Sequence, residues 1–319
     1  MSRNLEPVAL AFAEQTTPKF VTIPTNALTP DTLLTRIERI LHRSAQGVTW
    51  HVNVSVDGIG VVHDQVRGVT GNFEKCMKTL KGLLLLRERY PNLRVAVHTV
   101  VSTYTVDTIG ETVQFFRKIP LDNHIFEIAE QRFELGTRDR AITPYEKYAC
   151  VTPFLKEALR DRDKVRRSLR YTYYDFVQKW TRTPTRQYIP CMAGVASCHI
   201  TEKGLLTSCC TRWIDKGCFG DLRQADYDIK KLWLTPQANR IRESIKRQEC
   251  ACPLASAAYS SLLVDPRTFL KILKEYVMER KAKPSTSPDE KPSLLHDGHV
   301  PSGSHISIAR TLPRPRQTM

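Results

Sequence analysis

The sequence WHVNVSV at Trp50–Val56 has the pattern of a half-buried β-strand, because aromatic and β-branched residues alternate with polar ones. Three other stretches have similar composition: Phe20–Pro24, Leu93–Val101 and Ile125–Ile128. Segments with helical periodicity separate the four stretches. Since strands that alternate with helices build right-handed βαβ units, the sequence predicts an α/β fold with a parallel sheet within residues 1–143.

Three helices are predicted between these strands. The first begins with Thr29 as N-cap and Pro30 as the first helical residue, an order that favours a helix start. The second carries an apolar stripe that includes Cys76, and the third begins near Asp107. Each helix therefore has a face that can cover the sheet.

The composition is that of a soluble globular protein, with 41% hydrophobic and 25% charged residues in 319. Collagen, coiled-coil and wholly disordered classes are excluded. There is no apolar run of about 18 residues, so no membrane-spanning helix is expected. The start at Met1–Glu6 lacks the apolar core of a secretory signal, and we expect a cytoplasmic protein.

Polar residues follow each predicted strand. In α/β sheets, ligands bind at the carboxyl ends of parallel strands, so these residues are candidates for the rim of a pocket. They are Thr25 and Asn26, Ser55 and Asp57, Ser102, and the segment 127–130. Taken singly, each has the alternative interpretation of a turn or cap residue.

A basic helical segment is predicted at residues 144–186. Between Leu155 and Pro190 there are ten Lys and Arg residues against four Asp and Glu, a net charge of +6. Its tyrosines Tyr171, Tyr173 and Tyr174 would either stack on bases or pack in a core. The alternatives are a solvated helix face and a nucleic-acid-binding surface. A C-terminal helix at 266–280 and a disordered tail at 281–319 complete the predicted organisation.

Cysteines are concentrated in residues 187–265. In a reducing cytoplasm such a cluster favours metal binding over disulfides. A turn at Glu202–Gly204 predicts a β-hairpin that brings Cys191 towards Cys209, and Cys250 and Cys252 form a close pair. Four thiolates suit either a tetrahedral zinc ion or a 4Fe-4S cluster, and their spacing does not decide between the two.

Two motifs carry a resemblance to a known family. The segment Ser55–Gly68, SVDGIGVVHDQVRG, resembles the S-x-D-G…H-D-x-x-R-G segment of radical S-adenosylmethionine (SAM) enzymes. The Cys-x12-Gly-x4-Cys element from Cys191 to Cys209, followed by Gly220–Arg223, Trp233 and the late cysteine pair, resembles their SPASM or twitch extension. The similarity covers residues 18–265.

The resemblance implies an incomplete radical SAM (β/α)6 partial barrel at 1–143 and a SPASM/twitch-like iron–sulfur domain at 187–265. It implies that Ser55 and Asp57 lie near SAM, and that Thr25, Asn26 and Arg67 line the same opening. It also implies an auxiliary 4Fe-4S cluster, with the ligands Cys191, Cys209, Cys250 and Cys252. The twitch pattern more often ends in Cys-x-x-Cys, so Cys210 or Cys218 are alternative ligands, whereas Cys198 is expected to be a small buried hydrophobe.

The catalytic Cys-x3-Cys-x2-Cys loop of this family does not occur in these 319 residues, and only four of six barrel strands are found. We therefore expect a protein that does not cleave SAM reductively by itself. The explanations left open are a truncated reading frame, a degenerate paralogue, and a partner chain that supplies the missing strands. The substrate, a small molecule or a peptide, is not indicated. Neither a membrane nor a nucleic acid is the expected partner, and the alternative function is a zinc-stabilised basic nucleic-acid-binding module.

Overall fold

The computed structural model describes residues 4–44, 47–130, 142–159, 164–212 and 214–281. Residues 1–281 form one compact unit. The predicted tail lies outside the described residues from residue 282 onwards. No helix in the described part of the chain is long and apolar enough to cross a membrane.

The amino-terminal half alternates strands and helices, as predicted. The elements are α1 (Leu5–Gln15), β1 (Phe20–Thr25), α2 (Pro30–Arg43), β2 (Thr49–Ser55), α3 (Val61–Arg67), α4 (Asn72–Arg89), β3 (Leu93–Val101), a 3-10 turn (Val106–Thr108), α5 (Ile109–Arg117) and β4 (Asn123–Ile128). Thr29 is the N-cap of α2 and Pro30 its first residue, although the Thr29 side chain makes no capping hydrogen bond.

The four strands form one parallel sheet in the order β1-β2-β3-β4. The register pairs Ile23 with Val52, and Val52 with Val95. The predicted α/β class and the parallel sheet are confirmed. Each crossover passes through at least one helix, which is the connection that parallel neighbours require.

The two faces of the sheet differ in chemistry. Trp50, Val52 and Val54 of β2 are buried in the same hydrophobic core as the apolar faces of α2 and α4. His51 and Asn53 alternate with them, point to the opposite face and are half-buried. The sheet therefore has one face that holds the fold together and one polar face.

Strand β1 is paired on one side only within the described residues. The amide of Thr49 donates to the carbonyl of Lys19 at 3.1 Å, so the odd-numbered residues of β1 face β2 and the even-numbered residues face outwards. Pro24 is an outward-facing residue and has no N–H. The carboxyl end of this edge consequently lacks an amide donor, a feature that limits strand addition.

Helices α6 (Tyr145–Glu157) and α7 (Lys164–Arg182) form a second core against β4. Tyr173 and Tyr174 are buried in it, so they pack and are not presented for stacking on bases. Arg170, counted above on the basic face, turns inwards and donates to Tyr259 Oη at 3.3 Å. Of the two alternatives given for these tyrosines, packing in a core therefore holds for Tyr173 and Tyr174.

The cysteine-rich part contains β5 (His199–Ile200), β6 (Leu205–Thr207), α8 (Ile214–Gly217), β7 (Cys218–Asp221), α9 (Ile229–Trp233) and α10 (Pro236–Lys246), and two helices follow, α11 (Ala255–Val264) and α12 (Pro266–Lys281). The predicted hairpin is present, since β5 and β6 are antiparallel. The third strand, β7, was not predicted. Arg242 stabilises this part by stacking on two rings: its Cζ is 4.8 Å from the ring centroid of Trp233 and 5.2 Å from that of Phe219.

Gly204 closes the turn of this hairpin with φ of +77°, a conformation that costs L-residues about 1–2 kcal/mol. We expect Gly204→Ala to lower the free energy of unfolding by that amount, as measured by urea denaturation. Gly204→Asn is the matched control, because asparagine tolerates this conformation better. Equal losses for the two variants would contradict the backbone explanation.

Candidate cysteine cluster site and strand-end network

A cavity of about 380 Å³ lies where the cysteine-rich part meets β4 and α7. The predicted ligands Cys191, Cys209, Cys250 and Cys252 all line it. They come from three separate stretches of chain: one before the hairpin, one after β6, and one between α10 and α11. Glu130, two residues after β4, lines the same cavity, so the site borders the carboxyl edge of the sheet.

Thr211 and Arg212 lie among these sulfur atoms. The backbone N–H of Arg212 donates to Cys209 Sγ at 3.3 Å. Thr211 Oγ1 is 3.5 Å from Cys209 Sγ and 3.8 Å from Cys252 Sγ. One threonine hydroxyl thus joins cysteines that are far apart in sequence.

The backbone around Cys250 and Cys252 is held by hydrogen bonds to residues outside this pair. Gln187 Oε1 accepts from the Cys252 amide at 3.3 Å, and Tyr173 Oη donates to the Pro253 carbonyl at 3.0 Å. Since Tyr173 is itself buried in the α6–α7 core, the position of Cys252 is tied to that core.

Burial raises the pKa of Cys191, Cys250 and Cys252, and for Cys252 the nearby Glu130 carboxylate acts in the same direction. The positive charge of Arg212 has the opposite effect on Cys191 and Cys250. Without a bound cation these thiols therefore stay protonated at neutral pH. A metal centre would supply the missing positive charge and displace their protons.

The spacing left two metal groups open for these cysteines, a zinc ion and a 4Fe-4S cluster. A tetrahedral zinc ion with Zn–S bonds of about 2.3 Å needs its four ligands gathered around one point. Within the described residues, no group of three or more His, Cys, Asp or Glu is close enough to hold a single ion.

The other cysteines differ in position. Cys210 and Cys218 are half-buried and are not among the described residues that line the cavity, and Cys218 Sγ donates to the Gly220 carbonyl at 3.8 Å. The expectation that Cys198 is buried is wrong. It is exposed, because it precedes the two-residue strand β5, both of whose residues are also exposed.

The strand-end residues lie at one edge of the sheet. Thr25 Oγ1 accepts from the Ala27 amide at 3.1 Å, and Asn26 Oδ1 accepts from the Leu28 amide at 3.4 Å. Both side chains thus stabilise the turn that follows β1, at Ala27 with φ of +55°. Their predicted role at a SAM site stays a prediction.

Asp57 and Arg67 form an ion pair across the segment that resembles the family motif. Arg67 Nε is 2.7 Å from Asp57 Oδ2, and Asp57 Oδ1 accepts from the Val100 amide at 2.9 Å. Asp57 is 4% exposed. The pair ties β2 to β3 and to α3, which is a structural role that does not depend on a ligand.

Three residues that were not predicted as site residues complete this network. His63 Nδ1 accepts from the Asp57 amide at 3.0 Å, and His63 Nε2 is 3.0 Å from Asn72 Nδ2. Cys76 Sγ lies 3.8 Å from the Ser55 carbonyl and 4.0 Å from the Asn26 carbonyl, and its one proton can be donated to either. Cys76 therefore joins the ends of β1 and β2. His63 was visible in the quoted motif, but its burial was not.

The tautomer of His63 follows from these contacts. Because Nδ1 accepts a hydrogen bond, the proton of neutral His63 is on Nε2, and Asn72 must then present its carbonyl oxygen to that proton. The Asn72 oxygen is otherwise buried without a hydrogen-bond partner, so the reversed amide also satisfies this atom.

We expect His63 to make stability fall at acidic pH. Burial lowers its pKa from the ordinary 6.5, so the unfolded chain binds a proton that the folded protein excludes. This contribution is complete above pH 6.5 and is lost as the pH falls from 6.5 towards the lower folded-state pKa, with a slope of at most about 1.4 kcal/mol per pH unit. Unfolding free energies between pH 5 and 7.5, compared with His63→Gln, measure it. The same slope in both proteins would contradict the assignment.

The fold and the cavity define a class: an α/β protein with a parallel sheet and a cysteine-lined cavity at its carboxyl edge.

No model of a known protein family matches the sequence, and neither does any curated protein. Solved structures of anSMEcpe are similar. Native anSMEcpe with bound AdoMet and Cp18Cys peptide has 15% sequence identity and a TM-score of 0.44, over 81% of this chain and 74% of that chain. Hexahistidine-tagged anSMEcpe with bound AdoMet has 14% identity and a TM-score of 0.45, over 81% and 70%. A likeness of this size does not establish a family.

Proposed function

We propose that this chain is an iron–sulfur protein of the radical SAM class, in which Cys191, Cys209, Cys250 and Cys252 bind an auxiliary 4Fe-4S cluster. The observation that supports it most directly is the cavity of about 380 Å³ that all four cysteines line. The motif at Ser55–Gly68, on the sheet edge that the cavity borders, is the second support.

The residues around the cavity fit such a cluster. Thiolate sulfur is its usual protein ligand, and the N–H of Arg212 and the hydroxyl of Thr211 are available to the sulfur atoms. The remaining wall is largely apolar, with Trp180, Ile245 and Leu254 among its residues. An apolar wall limits the access of water to a bound cluster. With all four thiolates bound, the cluster would supply electron transfer.

The reductive cleavage of SAM requires the three-cysteine loop, which these 319 residues do not contain. We therefore propose that this chain contributes the auxiliary cluster and does not by itself start the radical reaction. A partner that supplies further strands would meet β1 along Phe20–Thr22, because Pro24 offers no donor beyond them.

Anaerobic reconstitution of the purified chain with iron and sulfide tests the proposal. We expect about four iron and four sulfide per chain and the visible absorption of a 4Fe-4S cluster. Parallel reconstitution with zinc alone is the comparison. Stoichiometric zinc together with no iron or sulfide would contradict the proposal and favour the zinc-stabilised alternative.

A further inference from the structure

We infer that Arg212 and Thr211 raise the reduction potential of the cluster in this cavity, Arg212 by a buried positive charge and Thr211 by hydroxyl contacts to sulfur. The inference rests on the proposed function, since it concerns the same cavity. Neither residue belongs to the motifs that carry the family resemblance.

The Arg212 side chain is 9% exposed and lines the cavity. Its Nη1 donates to the Ile241 carbonyl at 3.5 Å, which holds the guanidinium against α10. Because charges interact more strongly in a protein interior than in water, a cation here acts strongly on charges in the cavity.

Among the described residues, the carboxylate that pairs with Arg212 neutralises it only in part, and Glu130 is the acidic residue that lines the cavity. The acidic neighbour of Arg212, Glu249, is 3.8 Å away and 48% exposed. The same carboxylate accepts from Arg247 at 3.0 and 2.9 Å, so a second, exposed arginine already shares its charge. Arg212 therefore presents net positive charge to the sulfur atoms of the cavity.

A cluster held by four thiolates is anionic, and its reduced form carries one more negative charge. A buried cation stabilises the reduced form more than the oxidised form, which raises the potential. Hydrogen bonds to the sulfur atoms act in the same direction. Thr211 has one hydroxyl proton, so it donates to Cys209 or to Cys252, and the Arg212 amide donates to Cys209 in addition.

The test is a redox titration of the reconstituted chain, with dithionite as reductant and the one-electron couple followed by visible absorption and EPR. We expect Arg212→Gln to shift the reduction equilibrium about tenfold towards the oxidised form, a potential lower by about 59 mV. Arg212→Lys keeps the charge and should stay within about twofold of the wild type. The matched control is Arg240→Gln, which removes an exposed charge from α10, the helix that the Arg212 side chain contacts. It should leave the potential unchanged.

Variants of Thr211 test whether its hydroxyl contacts to sulfur contribute to the potential. Thr211→Val should lower the potential by a smaller amount, roughly a threefold shift in the equilibrium, and Thr211→Ser should restore it. Should Arg212→Gln fail to retain iron, the Thr211 variants alone decide, and a potential unchanged in Thr211→Val overturns the inference.

The outcomes separate the two proposals. A wild-type chain that takes up no iron overturns both the proposed function and this inference. An iron-loaded wild type whose potential is the same in Arg212→Gln and in Thr211→Val overturns the inference alone and leaves the proposed function standing.

Discussion

Replacing Cys191 and Cys209 together with alanine is expected to abolish cluster binding, from about four iron per chain to almost none. Cys191 precedes the β5–β6 hairpin in the sequence and Cys209 follows it, and both line one cavity with Cys250 and Cys252. Removal of both leaves only the late pair, and two thiolates from one short segment do not hold a four-iron cluster. Iron and sulfide analysis after anaerobic reconstitution, with visible absorption, measures the loss.

Two cysteines outside the cavity serve as controls. Cys150 and Cys198 are both exposed, and we expect Cys150→Ala and Cys198→Ala to retain the full iron content. Circular dichroism of the double variant separates loss of ligands from loss of fold. Undiminished iron in a folded Cys191→Ala, Cys209→Ala protein would show that the ligands lie elsewhere, with Cys210 and Cys218 as the next candidates.

Asp57→Ala should have the largest effect on stability among the strand-end residues, a loss of about 2–3 kcal/mol in the free energy of unfolding. The substitution removes the acceptor of the Val100 amide and leaves Arg67 without its ion-pair partner. The loss is kept below that of a fully buried pair because the Arg67 side chain is 31% exposed and can be hydrated. Urea denaturation at pH 7.5 measures it.

The matched control is Asp226→Asn, which breaks the exposed ion pair with Lys231 at 2.7 Å. We expect less than about 0.5 kcal/mol from it, because solvent screens that pair and asparagine tolerates the φ of +53° at this position. If Asp57→Ala were as mild as Asp226→Asn, the ion pair with Arg67 would not stabilise the sheet edge, and a role for Asp57 in binding a ligand would become the better explanation.

The sheet was predictable because its strands are long and rich in β-branched residues, as at Leu93–Val101, where the predicted and observed bounds coincide. Strand β7 was not predictable in the same way. Cys218–Asp221 is four residues long and contains a glycine, and it becomes a strand only by pairing with β6. Pairing partners across sequence distance are not visible in local composition.

The four cysteines predicted as ligands line one cavity, and their role as ligands stays a prediction, whereas the surroundings of that cavity were not predictable. The hairpin between Cys191 and Cys209 was predictable, because a glycine with positive φ, Gly204, marks its turn. Arg212 was missed because a single arginine after a cysteine pair has no pattern of its own. Likewise, Arg170 was assigned to a solvent-facing basic surface because charge counts do not show which way a helix is turned.

Pro24 affects how copies of this protein behave at high concentration. A sheet edge with a full row of amides is a template on which chains can add to one another and grow into fibrils. Here a neighbouring copy that paired with β1 would find no amide donor at Pro24 and would lose one main-chain hydrogen bond there. Concentrated preparations should therefore resist this form of self-assembly, and Pro24→Val should make them measurably more prone to bind thioflavin T.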